Sequence, residues 1–328
     1  RDFCLSRGLG DVYKRQGNQT AVLQKERLNM AFRNIIVENP AHISVKNSQL
    51  VIRTDTEHSA ALEDISALLL ENRQATITTA ALSALGECGC CVFTCDEKHL
   101  PCTVLAPFMQ HSRQAAVIEK QLAAGEPLKK RMWQAIVKAK ITNQALCLKY
   151  CGNEHDCQTL KAMAERVRSG DVGNVEAAAA RFYFPVLFGE GFTRGNDCIY
   201  NAALNYGYAI IRGSIARSLA VHGLLPVFGI HHESSMNAFN LADDLIEPFR
   251  PLIDLLVFSS FRPEDELGPD KKRLLFGALN LDILSDSQHH STAYAIDRLV
   301  QSLLRSLDEK QPRLLLPELL ALEQHRYE

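Results

Sequence analysis

The segment from position 229 to 251 carries the residue types best suited to chemistry. Its tandem histidine, His231 and His232, comes before a short polar loop, and an acidic segment with Asp244 and Glu247 follows. These two acids are three residues apart, so they share a face if the segment is helical. One imidazole and one or two carboxylates could then bind a divalent cation. The alternative is a helix N-terminus whose acids complement the helix dipole.

A second acidic position lies in an alanine-rich helix predicted over residues 175–187. Glu176 falls in its first turn, where it could simply complement the helix dipole. Small alanine side chains also let another helix approach closely, which could bring Glu176 beside His232 and Glu247. The spacing leaves open which side chains would bind the cation: His231 or His232, and Asp243, Asp244 or Glu247.

Short β-like runs come before these residues in the chain. They predict strands at 33–37, 41–46, 49–53, 65–70, 75–78 and 90–95, and one short helix at 79–85. Together they indicate a small β-sandwich-like domain over residues 30–106. Because this domain has no evident catalytic set, its expected role is dimerisation or partner docking.

After position 107 the apolar residues recur at intervals of three and four. This period predicts helices at 113–124, 128–150, 158–168, 175–187, 199–222, 244–257, 271–279 and 293–307. The region 107–328 is therefore expected to be a larger all-α catalytic domain. The predicted fold class is α+β.

The formal charge of -2 argues against a simple electrostatic nucleic-acid binder, which usually carries a basic excess. Contacts to DNA would then come from local patches. One helix concentrates Lys129, Lys130, Arg131, Lys138 and Lys140, and another carries Lys271, Lys272 and Arg273. Each patch is either a solvated face or a phosphate-binding surface. The candidate DNA contacts are Lys129, Lys130, Arg131, Lys138, Arg181 and Arg250.

The apolar residues and cysteines indicate the cellular compartment. No run of eighteen apolar residues is present and no secretory signal is visible, so a soluble, cytoplasmic protein is expected. The 10 cysteines do not form the paired Cys-x-x-Cys spacing of a zinc ribbon. They are expected to be reduced thiols that pack as small hydrophobic side chains.

The first 29 residues differ in character from the rest of the chain. They lack an initial methionine and an apolar period, and residues 4–16 resemble a translated sequencing-adapter remnant. Residues 1–29 are therefore expected to be an artefactual extension, with Met30 as the natural start.

Four sequence blocks in order carry a family resemblance. They are Asn-x-Glu-Ala-x-Ala-Ala-Arg-x-Tyr at 174–183, Asn-Ala-Ala-Leu-Asn-Tyr-Gly-Tyr at 201–208, Gly-Ile-His-His at 229–232 and Asp-Leu-Ile-Glu-Pro-Phe-Arg-Pro at 244–251. With the preceding β domain, including residues 95–101, they resemble the CRISPR-associated integrase, the larger subunit of the spacer-acquisition complex. The likeness runs from about Met30 to at least Leu307. The blocks are similar to the type II branch, which occurs with single-protein RNA-guided effector nucleases.

The resemblance implies a specific metal centre. The family's glutamate, histidine and second acid fall on Glu176, His232 and Glu247, which would bind Mg²⁺ or Mn²⁺. Asp244 would act on the site through a neighbouring ligand, and His231 would pack instead of binding the metal.

The resemblance also implies an activity and an assembly. The family inserts short duplex DNA, the prespacer, at a CRISPR repeat, by attack of a 3′ hydroxyl on a phosphodiester. It forms homodimers, two of which bracket a dimer of a small CRISPR-associated partner, and the RNA-guided effector nuclease is a further expected partner. No membrane is expected, and the location is the prokaryotic cytoplasm. The alternatives are a general structure-selective DNase and a catalytically silent scaffold that holds DNA.

Overall fold

The computed structural model describes residues 33–105 and 111–326. The expected artefactual extension falls within residues 1–32, and the expected domain boundary falls within residues 106–110. Both lie outside the described residues, as do positions 327 and 328.

The N-terminal region contains two four-stranded sheets. In the first, the order is β1 (Arg33–Val37), β5 (Ile65–Leu70), β7 (Cys91–Cys95), β8 (Pro101–Leu105); β1, β5 and β7 are parallel and β8 is antiparallel. In the second, the order is β4 (Glu57–Ala61), β3 (Gln49–Arg53), β2 (His42–Lys46), β6 (Thr76–Ile77). The sequence did not predict β4 or β8.

Helix α1 (Thr79–Glu87) lies against these sheets. The Thr78 hydroxyl accepts a hydrogen bond from the Ala81 amide at 3.2 Å and caps the helix N-terminus. Leu85 of α1 belongs to a small core together with Leu68 from the first sheet and Ile43 from the second. The two sheets therefore enclose a core of their own.

The other face of the first sheet packs on the helical region. Alternate residues of a strand point to opposite faces, so Leu69 and Phe93 contribute to the large core of the helices while Leu68 does not. A β carbon added to Gly213 would lie 2.2 Å from the ring of Phe93, so glycine is required for this close approach. The two regions thus share one continuous core.

The C-terminal region is largely helical. Its helices are α2 (Gln114–Leu122), α3 (Glu126–Tyr150), α4 (Glu154–Glu165), α5 (Val175–Phe188), α6 (Ile199–Val221), α7 (Asn240–Ile246), α8 (Arg250–Ser260), α9 (Pro269–Phe276) and α10 (Thr292–Glu309). The helix predicted over 244–257 is divided, because a 3₁₀ turn at Glu247–Phe249 separates α7 from α8. Proline at 248 removes a backbone donor at this break.

A three-stranded sheet also belongs to this region, so the expectation of an all-α domain was wrong in this detail. Its order is β10 (Gln288–Ser291), β9 (Leu281–Ser285), β11 (Glu318–Gln324), all antiparallel. The β9–β10 turn uses Asp286 and Ser287, both with positive φ. Because neither is glycine, the turn lacks the usual hairpin signal.

Ion pairs join α9 to the N-terminal region. The buried ammonium of Lys272 lies 2.5 Å from the Glu71 carboxylate, and the guanidinium of Arg273 pairs with Glu38 at 2.8 Å. Lys271 pairs with Asp265 at 2.7 Å. The predicted patch at 271–273 is therefore not a uniform solvated face, because Lys272 is buried and all three charges have partners within the molecule. Among the described residues, no helix is long and apolar enough to cross a membrane.

Candidate active site

The first turn of α5 presents Glu176 to the interior of the helical region. The carboxylate of Asp171 accepts hydrogen bonds from the amides of Val175 at 2.9 Å and Glu176 at 3.0 Å. These bonds satisfy donors that a helix N-terminus leaves free. Asp171 therefore fixes the start of α5 and, with it, the position of Glu176.

Glu247 reaches the same place from the 3₁₀ turn between α7 and α8. Its side chain is buried, and Oε1 accepts a hydrogen bond from Arg250 Nε at 2.9 Å. The prolines at 248 and 251 keep the two helices from continuing through this turn. The break between the helices therefore sets the position of Glu247 near Glu176.

The ammonium of Lys140 pairs with both carboxylates. Lys140 lies in the middle of α3, its side chain is 9% exposed, and its Nζ forms ion pairs with Glu176 and Glu247. Lys140 was expected to lie in a basic patch, either a solvated face or a phosphate-binding surface, and this buried role was not predicted. A signal was present, because Lys140 follows Ile136 by four residues and Val137 by three, on the apolar face of the helix.

The ion pairs keep Lys140 and Glu247 charged at neutral pH. Burial alone would raise the pKa of Glu247, but Arg250 and Lys140 outweigh it and lower that pKa to about 2. Burial alone would lower the pKa of Lys140, but Glu247 and Glu176 outweigh it and the pKa is raised. Lys140 and Glu247 therefore form a stable charged pair, and Lys140 also pairs with Glu176.

The loop before α7 presents His232. Its Nδ1 is 2.7 Å from Asp244 Oδ1, and this hydrogen bond is the main reason that its pKa is raised. The fully buried Asp244 carboxylate also accepts from the amides of His231 at 2.9 Å and His232 at 3.2 Å. A β carbon on Gly229 would lie 2.2 Å from the His232 carbonyl oxygen. Asp244 and Gly229 thus set the loop, leaving Nε2 of His232 for a ligand.

The two neighbouring candidates have other partners. The ring of His231 stacks on Trp133 with centroids 4.2 Å apart and an angle of 6° between the planes. The Asp243 carboxylate pairs with Arg212 Nε at 2.7 Å and accepts from the Asn237 amide at 2.6 Å. His231 and Asp243 are therefore held away from the Lys140 group.

A cleft of about 250 Å³ opens beside the carboxylate pair. It is lined by Lys140, Gln144, Glu176, Ala180, Phe184, Arg194, Tyr208, Glu247, Arg250 and Asp254. The sequence analysis did not single out Arg194, Tyr208 or Asp254. The guanidinium carbons of Arg250 and Arg194 lie 4.6 Å and 5.3 Å from the centre of the Tyr208 ring. The cleft therefore joins acids to fixed cations, as a phosphate-handling site requires.

Asp254 forms the floor of this cleft. Its buried carboxylate accepts hydrogen bonds from the hydroxyls of Tyr183, at 3.0 Å, and Tyr208. Burial raises its pKa to about 6, although both tyrosine hydrogen bonds oppose the shift. The result is a fixed orientation of the Tyr208 ring between the two arginines.

The donor set fits a divalent cation in its chemistry. Two carboxylates and one imidazole suit Mn²⁺ and, less well, Mg²⁺. Glu176 and Glu247 already converge on one cation, the Lys140 ammonium. Over 33–105 and 111–326, however, no three His, Cys, Asp or Glu side chains are close enough to hold a metal ion as they stand. Binding of a cation by Glu176, Glu247 and His232 together would therefore require that Lys140 withdraw and that His232 approach.

Apart from Arg250, the predicted DNA contacts are surface residues of two kinds, which among the described residues are unpaired or loosely paired. Lys130, Arg131 and Arg181 are exposed on the surface. Lys129 lies 4.0 Å from Glu233, and Lys138 lies 3.4 Å from Glu165. These are loose surface pairs that DNA could replace.

Arg250 differs from the other predicted contacts. It is fixed by Glu247 and by the Tyr208 ring, so it belongs to the cleft and not to an outer surface.

Comparison with known proteins identifies the family. Residues 35–266 match the family described as CRISPR associated protein Cas1. The chain belongs to the Cas1 family. It is 44% identical over 304 residues to a CRISPR-associated endonuclease Cas1 of Neisseria meningitidis serogroup C (strain 8013), covering 91% of this chain and 100% of that protein. A Cas1 endonuclease of Saccharolobus solfataricus (strain ATCC 35092 / DSM 1617 / JCM 11322 / P2) is 28% identical over 289 residues, with 78% and 87% coverage.

Solved structures share the fold. A casposase bound to an integration product has a TM-score of 0.72 at 19% identity, covering 86% of this chain and 92% of that one. A Cas1 protein from Thermotoga maritima has a TM-score of 0.66 at 18% identity, covering 84% and 97%. The α+β class and the family resemblance are thus confirmed. As a member of the Cas1 family, the chain is an endonuclease and integrase of CRISPR spacer acquisition, which confirms the expected function and enzyme class.

Proposed function

We propose that Glu176, His232 and Glu247 bind one Mg²⁺ or Mn²⁺ and form the strand-transfer centre. The observation that carries this proposal is the convergence of Glu176 and Glu247 on a single cation, the Lys140 ammonium. When bound, a divalent cation polarises the scissile phosphate and orients the attacking hydroxyl. Lys140 holds the two carboxylates in position before loading.

The surrounding residues bind and orient the substrate. Asp244 holds His232 through Nδ1, so Nε2 points away from Asp244 and is free to be a ligand. Arg250 and Arg194, fixed on the Tyr208 ring, provide positive charge for a phosphodiester in the cleft. Buried Asp254 holds Tyr208, so it acts by positioning.

The substrate is double-stranded DNA in two forms, a prespacer and a CRISPR repeat. The prespacer 3′ oxygen bonds to phosphorus of the repeat and the bond to the repeat 3′ oxygen breaks. The attacking hydroxyl loses a proton and the leaving oxygen gains one. With water as the nucleophile, the same centre cuts DNA. Lys129, Lys130, Arg131, Lys138 and Arg181 would contact phosphates outside the cleft.

The protein is proposed to work as a homodimer, two of which bracket a dimer of the small CRISPR-associated partner. Support for the association with that partner, though not for the stoichiometry, comes from a structural neighbour described as a Cas6-RT-Cas1–Cas2 complex, with a TM-score of 0.64. The RNA-guided effector nuclease is a further proposed partner. The location is the prokaryotic cytoplasm, where the CRISPR array lies.

The test is strand transfer of a short duplex into a supercoiled plasmid that carries the repeat. The small partner is present, and Mg²⁺ and Mn²⁺ are varied against EDTA. Metal-dependent insertion that needs both the partner and the repeat supports the proposal. Cutting that ignores both would favour a general structure-selective DNase, and DNA binding without any reaction would favour a silent scaffold.

A further inference from the structure

A second cavity shares no lining residue with the cleft beside the carboxylate pair. Its volume is about 220 Å³, and it lies where the first sheet, α6, α10 and the C-terminal sheet meet. Its lining includes Ser66, Cys91, Ser214, Arg217, His290 and Asp297. None of the residues proposed for strand transfer lines it.

Arg217 is the unusual feature of this cavity. The residue is 7% exposed, and its Nε and Nη2 atoms are buried without a hydrogen-bond partner. These two nitrogens form one edge of the guanidinium, the edge that binds two oxygen atoms of one anion side by side. A buried polar group without a partner is costly, so its retention requires an explanation.

The nearby acid does not complete this edge. Asp297 Oδ1 accepts from His222 Nε2 at 2.8 Å and Ser218 Oγ at 3.1 Å, while Oδ2 accepts from Gln301 Nε2 at 2.7 Å. Each of its oxygens therefore has another donor, and Nε and Nη2 of Arg217 stay buried without a hydrogen-bond partner.

The cysteine in the lining does not supply a negative charge either. Burial raises the pKa of the Cys91 thiol to about 12, although Arg217 opposes the shift. The thiol is therefore protonated at neutral pH.

We propose that this cavity binds a small phosphate ligand, toward which the Arg217 side chain turns so that two phosphate oxygens lie on Nε and Nη2. Ser66, Ser214, His290 and Tyr294 line the same space, and side chains of these types can hydrogen-bond the remaining oxygens. The burial of Arg217 restricts the ligand to one that fits inside, such as inorganic phosphate or a mononucleotide phosphate. This inference does not rest on the strand-transfer proposal.

The location gives the ligand a structural effect. Ser66 belongs to β5 of the N-terminal region, whereas Ser214 and Arg217 belong to α6. A phosphate that contacts both would tie the sheet to the central helix. Binding should therefore raise the melting temperature, because a ligand of the folded state alone stabilises that state.

The test measures phosphate binding by the full chain without DNA, using calorimetry and thermal unfolding. Inorganic phosphate is compared with chloride at equal ionic strength, and deoxyadenosine monophosphate and a short DNA duplex are added as competitors. Arg217→Met removes the fork at similar volume, and Arg217→Lys keeps the charge without the fork. Arg305→Met, at an exposed position on α10, is the matched control.

The expected result is a phosphate-specific rise in melting temperature for the wild type and Arg305→Met. Arg217→Met should bind phosphate at least about tenfold more weakly, and Arg217→Lys should be intermediate. If deoxyadenosine monophosphate displaces phosphate, the ligand is a nucleotide. If it does not, the ligand is free phosphate. If Arg217→Met does not fold, Ser214→Ala must weaken phosphate binding. Equal phosphate responses in folded Arg217→Met and wild type, or displacement only by duplex DNA, would overturn the proposal.

Discussion

Asp244 holds the imidazole of His232 by one nitrogen, with 2.7 Å between Oδ1 and Nδ1. The same carboxylate binds the backbone amides of the loop that carries the histidine. The loop and its imidazole are therefore positioned by a single buried acid. A neutral imidazole held in this way presents Nε2 as an acceptor, which is the form that binds a metal.

The first prediction concerns pH. The hydrogen bond to Asp244 raises the pKa of His232 above the ordinary histidine value of about 6.5. A raised pKa means that the folded state binds the proton more tightly than the unfolded state. The pair should therefore stabilise the metal-free protein below about pH 6.5, and this contribution should be lost as the pH rises through the raised pKa. The measurement is urea unfolding in EDTA across pH, with His232→Gln as the comparison. Parallel pH profiles for the two proteins would contradict the prediction.

Metal affinity should respond to pH in the opposite direction. Because a ligand imidazole must be neutral, Mn²⁺ binding should tighten as the pH rises through the pKa of His232. Calorimetric titration with Mn²⁺ checks this, and His231→Ala is the control, because it removes a ring that stacks on Trp133 and packs edge-on against His232 but is not a proposed ligand.

The second prediction concerns the ligands. His232→Ala, Glu176→Ala and Glu247→Ala should each abolish strand transfer, whereas His231→Ala should keep measurable activity. Asp244→Ala should reduce activity to an intermediate level and should also destabilise the fold by about 3–5 kcal/mol, because it removes a buried charged acceptor. The measurement is strand transfer by folded variants across a Mn²⁺ titration. Loss of strand transfer in His231→Ala, with retention of strand transfer in His232→Ala, would show that His231 is the ligand instead of His232.

The third prediction concerns Lys140. In Lys140→Met, Glu176 and Glu247 lose their common cation, so the metal-free protein should be less stable by about 3–5 kcal/mol. Mn²⁺ should bind more tightly to the variant, since no ammonium has to leave. Denaturant unfolding in EDTA and calorimetry with Mn²⁺ measure the two effects. Lys138→Met, two residues away and paired at the surface with Glu165, is the matched control and should change neither. Unchanged or weaker Mn²⁺ binding by Lys140→Met would show that the Lys140 ammonium does not compete with the metal for Glu176 and Glu247.

The fourth prediction concerns salt. Despite a net charge of -2, DNA affinity should fall steeply with salt, because a few basic side chains on one face release counterions. Charge reversal of Lys129, Lys130 and Arg131 to glutamate should weaken binding and flatten the plot of log affinity against log salt. Lys46→Glu, exposed on β2, serves as the control. An unchanged slope of log affinity against log salt in the triple variant would show that the patch is a solvated face and does not bind phosphates.

The sequence predicted the elements with a strong period, and it missed those without one. The apolar stripe of α10 and the buried strand β5 were evident, whereas β4, with the sequence EHSAA, is mostly exposed and polar. β9 and β10 are short and are joined through Asp286 and Ser287, which carry no glycine signal.

The candidate site was predicted in part for a similar reason. Asp244, Glu247 and the tandem histidine lie in one short segment, and Glu176 lies at the start of a helix. In both places the sequence spacing predicts which side chains can come together. Lys140, Arg194 and Asp254 come from three separate parts of the chain and meet only through packing. Their roles depend on burial and on partners, which a single sequence does not reveal. The same holds for Arg217, because a single sequence does not reveal that its Nε and Nη2 are buried without a partner.

The contact between Gly213 and Phe93 restricts how this protein can be recombined with its relatives. The glycine belongs to the central helix and the phenylalanine to the N-terminal sheet, so the fit depends on residues 120 positions apart. A chimera that took residues 33–105 from one homologue and the remainder from another would have to inherit both partners, and also the Glu71–Lys272 pair. The N-terminal region is therefore not an exchangeable cassette, and functional chimeras should require crossover points that keep each of these pairs from a single parent.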